Sequence, residues 1–277
     1  MIYDCFPFFN ELDLLEIRLN YLDEVVDKFV LVEMGKTASG KDKPFFFDEN
    51  KERYSKFLDK IIHIKVSDYP DENGEPDYSK PWLLENYQRD CIMRGLKDAK
   101  SDDIILISDL DEIPAKKVVK EYTSGIISPV HKMMYYYLNN LNVTNSNWVK
   151  GTKICHYSDL IDPQIDIPKQ LENQYTKKGL PTYIRFYSGN LIFDGGWHFS
   201  YLGGAKAISY KIKSFAHQEL NKEDFTNEAK IEKCVKKGED IFGRGDRYRA
   251  IPIDETFPDY IVENQEKYQH LILKTKI

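Results

Sequence analysis

No apolar run in this 277-residue chain approaches the length of a membrane span, and 30% of its residues are charged, so a transmembrane segment is not expected. Cysteine is scarce: Cys5, Cys91, Cys155 and Cys234 lie far apart with no CxxC pair, which argues against a zinc site or a disulfide framework and for reduced thiols in a cytoplasmic setting. No signal-peptide pattern precedes the strand-like sequence after Met1. Basic residues are scattered and the formal net charge is −6, so a nucleic-acid groove is not expected. Neither GxGxxG nor GxxxxGK[ST] occurs, which disfavours dinucleotide and P-loop chemistry, and no GxSxG elbow or Cys–His pair offers a nucleophile.

Aromatic residues are abundant instead, at 13% with 19 Tyr, enough for a large core or a surface that stacks on sugars. The length suits a single domain over residues 1–277. Ile2 to Phe9 reads as a strand, a helix follows with Leu12, Leu15, Leu19 and Leu22 on one face, and Phe29 to Glu33 reads as a second strand. That order is the crossover of a parallel sheet, and Ile61 to Val66 and Ile104 to Ile107 extend it. Trp82 to Lys97 is expected to be helical, and 67–80 a surface loop. After residue 114 longer, polar-alternating strands predict antiparallel pairing over Met133 to Val143 and Trp148 to His156. Tyr183 to Phe186 is expected as a strand, 164–180 as irregular, and Asp194 to Gly204 as a tight glycine loop open to a ligand. Helices are expected over Ala115 to Ser124, Lys206 to Phe215, Glu223 to Lys237 and Tyr260 to Leu273. The whole is an α/β fold, a Rossmann-like mixed sheet flanked by helices.

The chemistry concentrates after the fourth strand. Ser108-Asp109-Leu110-Asp111-Glu112 follows a buried apolar run, and an extended chain would put Asp109 and Asp111 on one side. Carboxylates at the carboxyl end of a central strand suit Mn²⁺ or Mg²⁺, while the bland alternative is an acidic turn capping a helix that opens near Pro114. His198, set among glycines, would complete an Asp, Asp, His set. Arg89 is placed to bind a diphosphate, and Glu33 to accept hydrogen bonds from a ribose or base.

Five pieces, in order, resemble glycosyltransferase family 17: Phe9-Asn10-Glu11-Leu12-Asp13-Leu14-Leu15-Glu16-Ile17-Arg18; Val30-Leu31-Val32-Glu33; Glu85-Asn86-Tyr87-Gln88-Arg89; Ser108-Asp109-Leu110-Asp111-Glu112-Ile113-Pro114; and Gly196-Trp197-His198-Phe199-Ser200. The resemblance implies a GT-A fold and a UDP-sugar donor, UDP-GlcNAc being the first expectation. It also implies a divalent metal on the DxD pair Asp109 and Asp111, inversion at the anomeric carbon, and a glycan acceptor. Residues 1–114 would then bind the nucleotide sugar, with Asn10, Glu33, Arg89 and Asp109 on the donor, and 115–277 the acceptor. Asp194 and Glu219, neighbours of the glycine loop, are the expected bases. The rival expectations are a carbohydrate- or nucleotide-binding protein without catalysis and a metal-dependent phosphohydrolase, for which six scattered His are thin support.

Overall fold

The computed structural model describes residues 1–69, 81–161 and 180–274. All but the last residue of the expected irregular segment at 164–180, and most of the loop at 67–80, lie outside the described residues. Among the described residues, an 11-stranded mixed sheet lies at the centre. β1 (Ile2–Phe8), β2 (Lys28–Met34), β3 (Ile61–Val66) and β4 (Ile104–Ile107) run parallel in the order β3, β2, β1, β4.

These strands are nearly continuous apolar runs because both faces are covered. Phe6, Phe8, Phe29, Leu31 and Leu106 pack on one face with Leu14, Leu15 and Leu22 of the helix Leu12–Leu22. On the other face, Cys5, Val30, Val32, Ile105 and Ile107 meet Leu84 of the helix Pro81–Asp90. The chain steps outward from β1 to β2 to β3, then returns to place β4 on the other side of β1. That reversal opens a crevice at the carboxyl ends of β1 and β4, where open α/β sheets bind ligands.

Beyond β4 the pairing turns antiparallel, as expected. β9 (Lys153–His156) pairs with β4, β7 (Asn140–Asn142) and β8 (Asn147–Trp148) with β6 (Ile127–Tyr135), and β11 (Tyr248–Ala250) with β7. β10 (Asn190–Ser200) runs parallel to β6 and antiparallel to the short β5 (Glu112–Pro114). A third cluster joins Ile208, Ile212 and Ile231, from the helices Gly204–Ser214 and Glu228–Lys237, to Tyr135, Tyr136, Tyr201 and Tyr248. No helix among the described residues is long and apolar enough to cross a membrane.

Several local expectations are corrected. The stretch Tyr183 to Phe186 is the end of a helix, Leu180–Phe186, with Pro181 in its first turn, where a missing N–H costs nothing. Most of the expected glycine loop is strand β10. Gly196, at φ 147°, lets β10 close on β5, because a Cβ there would stand 2.2 Å from the Ile113 carbonyl oxygen. Pro114 ends β5 rather than opening a helix, and the helix that follows is short, Lys116–Lys120.

Candidate active site

A cavity of about 560 Å³ opens at the carboxyl ends of β1 and β4. Phe8 and Phe9 from the end of β1, Thr37 beyond β2, and Asp109 to Glu112 beyond β4 form its floor. Asp109 to Glu112 is a tight turn rather than extended chain: the Glu112 N–H donates to the Asp109 carbonyl at 3.0 Å, and the Asp109 N–H donates to Glu112 Oε2 at 3.0 Å.

The turn is held from beneath by Arg18, the last residue of the first stretch that resembles the family. Its guanidinium is fully buried and grips Asp4 with two bonds, 2.8 Å to Oδ2 and 2.6 Å to Oδ1. The other face of the fork meets the carbonyls of Asp109, Leu110 and Glu112 at 3.1, 3.0 and 2.8 Å, and the Ser108 hydroxyl at 2.6 Å. A planar five-donor group suits this cluster of acceptors as no ammonium could. A signal was present: Arg18 falls on the same helix face as Leu14, Leu15 and Leu22, and a charge on an apolar face needs a buried partner.

Above the turn, each carboxylate of the acidic pair meets cations. Asp109 lies between Arg89 at 2.9 Å and Arg185 at 3.2 Å. Burial alone would raise its pKa, but the two guanidiniums outweigh that and hold the carboxyl below its usual range. Arg185 also donates to Glu112 Oε1 at 2.7 Å and to the Gly151 carbonyl at 2.9 Å. Glu112, 1% exposed, accepts a further bond from Trp148 Nε1 at 2.7 Å, and its burial raises its pKa. Asp111 has Lys211 at 3.0 Å on one oxygen and His198 Nε2 at 3.4 Å on the other, and these partners overcome burial to hold its pKa low. His198 comes opposite the turn through strand register: β10 sets Trp197 against Ile113 and His198 against Glu112, and the Phe199 N–H reaches the Asp111 carbonyl at 2.8 Å. Burial would lower the His198 pKa, but Asp111 reverses this and raises it.

The fold therefore brings Arg89, Asp109, Asp111 and His198 together at one cavity. Other residues named from sequence stand elsewhere. Glu33 is fully buried and taken up by Lys43, His63 and the Phe47 N–H, each at 3.2 Å, and it does not line the cavity. Asn10 is not among the residues lining the cavity. Asp194 lies near Lys132, Trp197 and Thr256, away from the acidic turn, and Glu219 is an exposed partner of His217 at 2.5 Å. Neither expected base looks into the cavity. Arg185 and Lys211, which do, carried no local signal because their partners are 76 and 100 residues away in sequence.

Among the described residues no three His, Cys, Asp or Glu side chains converge into a ready-made metal cage. Mg²⁺ and ions like it, however, use one or two carboxylates and complete their shell with waters and substrate phosphates. Two ligands about 2.1 Å from one ion stand about 3 Å apart, close to the 3.4 Å between Asp111 Oδ1 and His198 Nε2. The buried His198 Nδ1 has no hydrogen-bond partner among the described residues. Asp111 and His198 therefore fit a two-ligand site, whereas both oxygens of Asp109 are occupied by guanidiniums.

The model of glycosyltransferase family 17 matches residues 1–161. The β-1,4-mannosyl-glycoprotein 4-β-N-acetylglucosaminyltransferases of Rattus norvegicus and Homo sapiens are each 23% identical over 287 aligned residues, covering 95% of this chain and 53% of the relative. The chain thus spans about half the length of the curated relatives it matches. Among solved structures, a mannosyltransferase from Pyrobaculum calidifontis in complex with GDP-mannose and Mn²⁺ aligns at a TM-score of 0.36 and 11% identity, over 71% of this chain and 56% of that one. The family match takes in more than half of the chain, with the whole parallel core, the Arg18 clasp and the acidic turn inside it, and on that basis this chain belongs to glycosyltransferase family 17.

Proposed function

We propose that this chain is a metal-dependent glycosyltransferase that moves GlcNAc from UDP-GlcNAc to a glycan acceptor with inversion. The observation that carries the proposal is the meeting of Asp111 and His198 beside a cation-rich cavity at the sheet's reversal point. The names of the relatives, N-acetylglucosaminyltransferases, support the choice of sugar.

In this reading Asp111 and His198 hold the divalent ion, which would supply charge neutralisation to the departing diphosphate. Arg89 and Arg185, which line the cavity and are held by Asp109, would supply positive charge beside the diphosphate. The acceptor's proton must pass to a carboxylate that faces the cavity. Asp109 and Asp111 are held too acidic by their cations, and Glu112 is sealed in. Of the two that remain, Glu11, 3.3 Å from Lys211, and Glu85, we choose Glu85. Its side chain is 27% exposed, burial raises its pKa, and its contact with Arg89 is long at 3.5 Å. A raised carboxylate is the better general base.

The test is release of UDP from UDP-GlcNAc with Mn²⁺ and a mannose-containing oligosaccharide acceptor, beside a panel of other nucleotide sugars. Acceptor-dependent release from UDP-GlcNAc supports the proposal. Absence of acceptor-dependent release from every donor in the panel overturns it, and release from a different donor overturns the choice of sugar.

A further inference from the structure

Lys211 stands where a divalent ion on Asp111 would meet a competitor. Its ammonium is 3.0 Å from Asp111 Oδ2, 3.3 Å from Glu11 Oε1 and 5.7 Å from the centre of the Tyr201 ring. The two members of the Asp111–Lys211 pair differ in how firmly they are held. Asp111 sits in a turn whose backbone is clasped by the buried Arg18 and joined to β10 through Phe199. Lys211 is a flexible stem on the last turn of the helix Gly204–Ser214, which is anchored through Ile208 and Ile212, so its head can leave without moving the helix.

Resting on the reading of Asp111 and His198 as metal ligands, we infer that Lys211 is an internal counter-cation: it occupies the Asp111 carboxylate while the cavity lacks a nucleoside diphosphate, excludes free divalent metal, and transfers to the diphosphate when metal and nucleotide enter together. An ammonium and a divalent ion cannot share one carboxylate at contact distance without strong repulsion. Metal entry therefore requires Lys211 to move, and without a ligand the remaining carboxylate beside it is Glu11. A diphosphate brings the anionic oxygens that both cations need. Free Mn²⁺ consequently binds weakly, and Mn²⁺ and UDP strengthen each other's binding reciprocally.

Calorimetric titration of Mn²⁺, with and without UDP, into the parent, Lys211→Met, Lys211→Arg and Asp111→Asn tests this. Methionine keeps the length of the stem, and thermal melts establish that each variant is folded. Mn²⁺ alone is expected to bind Lys211→Met about tenfold more tightly than the parent. Lys211→Arg, which keeps the charge, is expected to exclude Mn²⁺ as the parent does, and the UDP–Mn²⁺ coupling is expected to shrink in Lys211→Met. Equal or weaker Mn²⁺ binding by Lys211→Met overturns the role of Lys211. If Asp111→Asn binds Mn²⁺ with UDP as well as the parent does, the metal site itself is wrong and the inference falls with it. If Asp111→Asn loses Mn²⁺ while Lys211→Met is unchanged, the site stands and only the counter-cation falls.

Discussion

At the scale of single residues, two side chains carry separable expectations. Lys153 is 2% exposed beneath the acidic turn, and its ammonium donates to the Gly151 carbonyl at 3.1 Å. Burial, and then the neighbouring Arg185, lower its pKa to about 8. In the unfolded chain a lysine titrates near about 10.4, so between these values the unfolded state holds more protons and stability rises with pH. Below that window folding carries a buried charge at a cost of about 3 kcal/mol. Lys153→Met removes that cost, so urea unfolding at a series of pH values should show it more stable than the parent at pH 7, with the gap closing toward pH 10. A gap that does not change with pH would show that the ammonium is not strained. Glu85 is the other case. Glu85→Gln keeps size and leaves Asp111 and His198 untouched, so UDP and Mn²⁺ should bind normally while turnover falls by roughly 10²–10⁴-fold. Loss of UDP affinity in step with turnover would instead make Glu85 a donor contact.

At the scale of elements, strand β10 decides whether His198 reaches the site. Gly196→Ala forces a Cβ toward the Ile113 carbonyl oxygen at a backbone angle that side chains rarely adopt. It should cost at least about 2 kcal/mol in a melt and weaken Mn²⁺ and UDP binding by shifting His198. Gly243→Ala is the control, since its φ is 70° but a Cβ there meets nothing within 4 Å. If both substitutions affect binding alike, strain rather than strand contact is responsible. The same strand shows where sequence reasoning stopped. β1 to β4 were legible because runs such as Ile104 to Ile107 are buried on both faces, and Leu12–Leu22 because its leucines keep helical spacing. The part of β10 from Asp194 to Ser200 was misread as a loop because glycine serves loops and close strand contacts equally, and no local pattern tells them apart. Asp109, Asp111 and His198 stood out in the sequence as residue types, but the turn at Asp109 is shaped by carbonyl contacts to Arg18, 91 to 94 residues away, and those leave no mark on the stretch itself.

At the scale of the whole molecule, charge is distributed against the average. The chain is net −6, yet its cavity sets six cations, Lys36, Arg89, Lys150, Arg185, Lys211 and Arg244, against five carboxylates, Glu11, Glu85, Asp109, Asp111 and Glu112. An anionic nucleotide should enter such a cavity and stabilise the entire fold. At a hundred times its dissociation constant a ligand adds about 2.7 kcal/mol, which for a chain of this size raises the melting temperature by roughly 5 °C or more. UDP with Mn²⁺ should produce that shift, and UDP with EDTA a smaller one. Equal shifts under both conditions would remove the metal from nucleotide binding.

The Arg18 clasp also sets an order of assembly. Its bond to Asp4 closes a loop of only 14 residues, whereas its bonds to the turn span more than 90. Short loops close first because they lose less chain entropy. The first strand and helix can therefore pair Arg18 with Asp4 early, with half of the guanidinium still waiting for the carbonyls that arrive after β4. The floor of the cavity is then a late-forming contact. Arg18→Lys should accelerate unfolding more than it slows refolding in stopped-flow measurements, and a variant that mainly slows refolding would mean the clasp belongs to the folding nucleus.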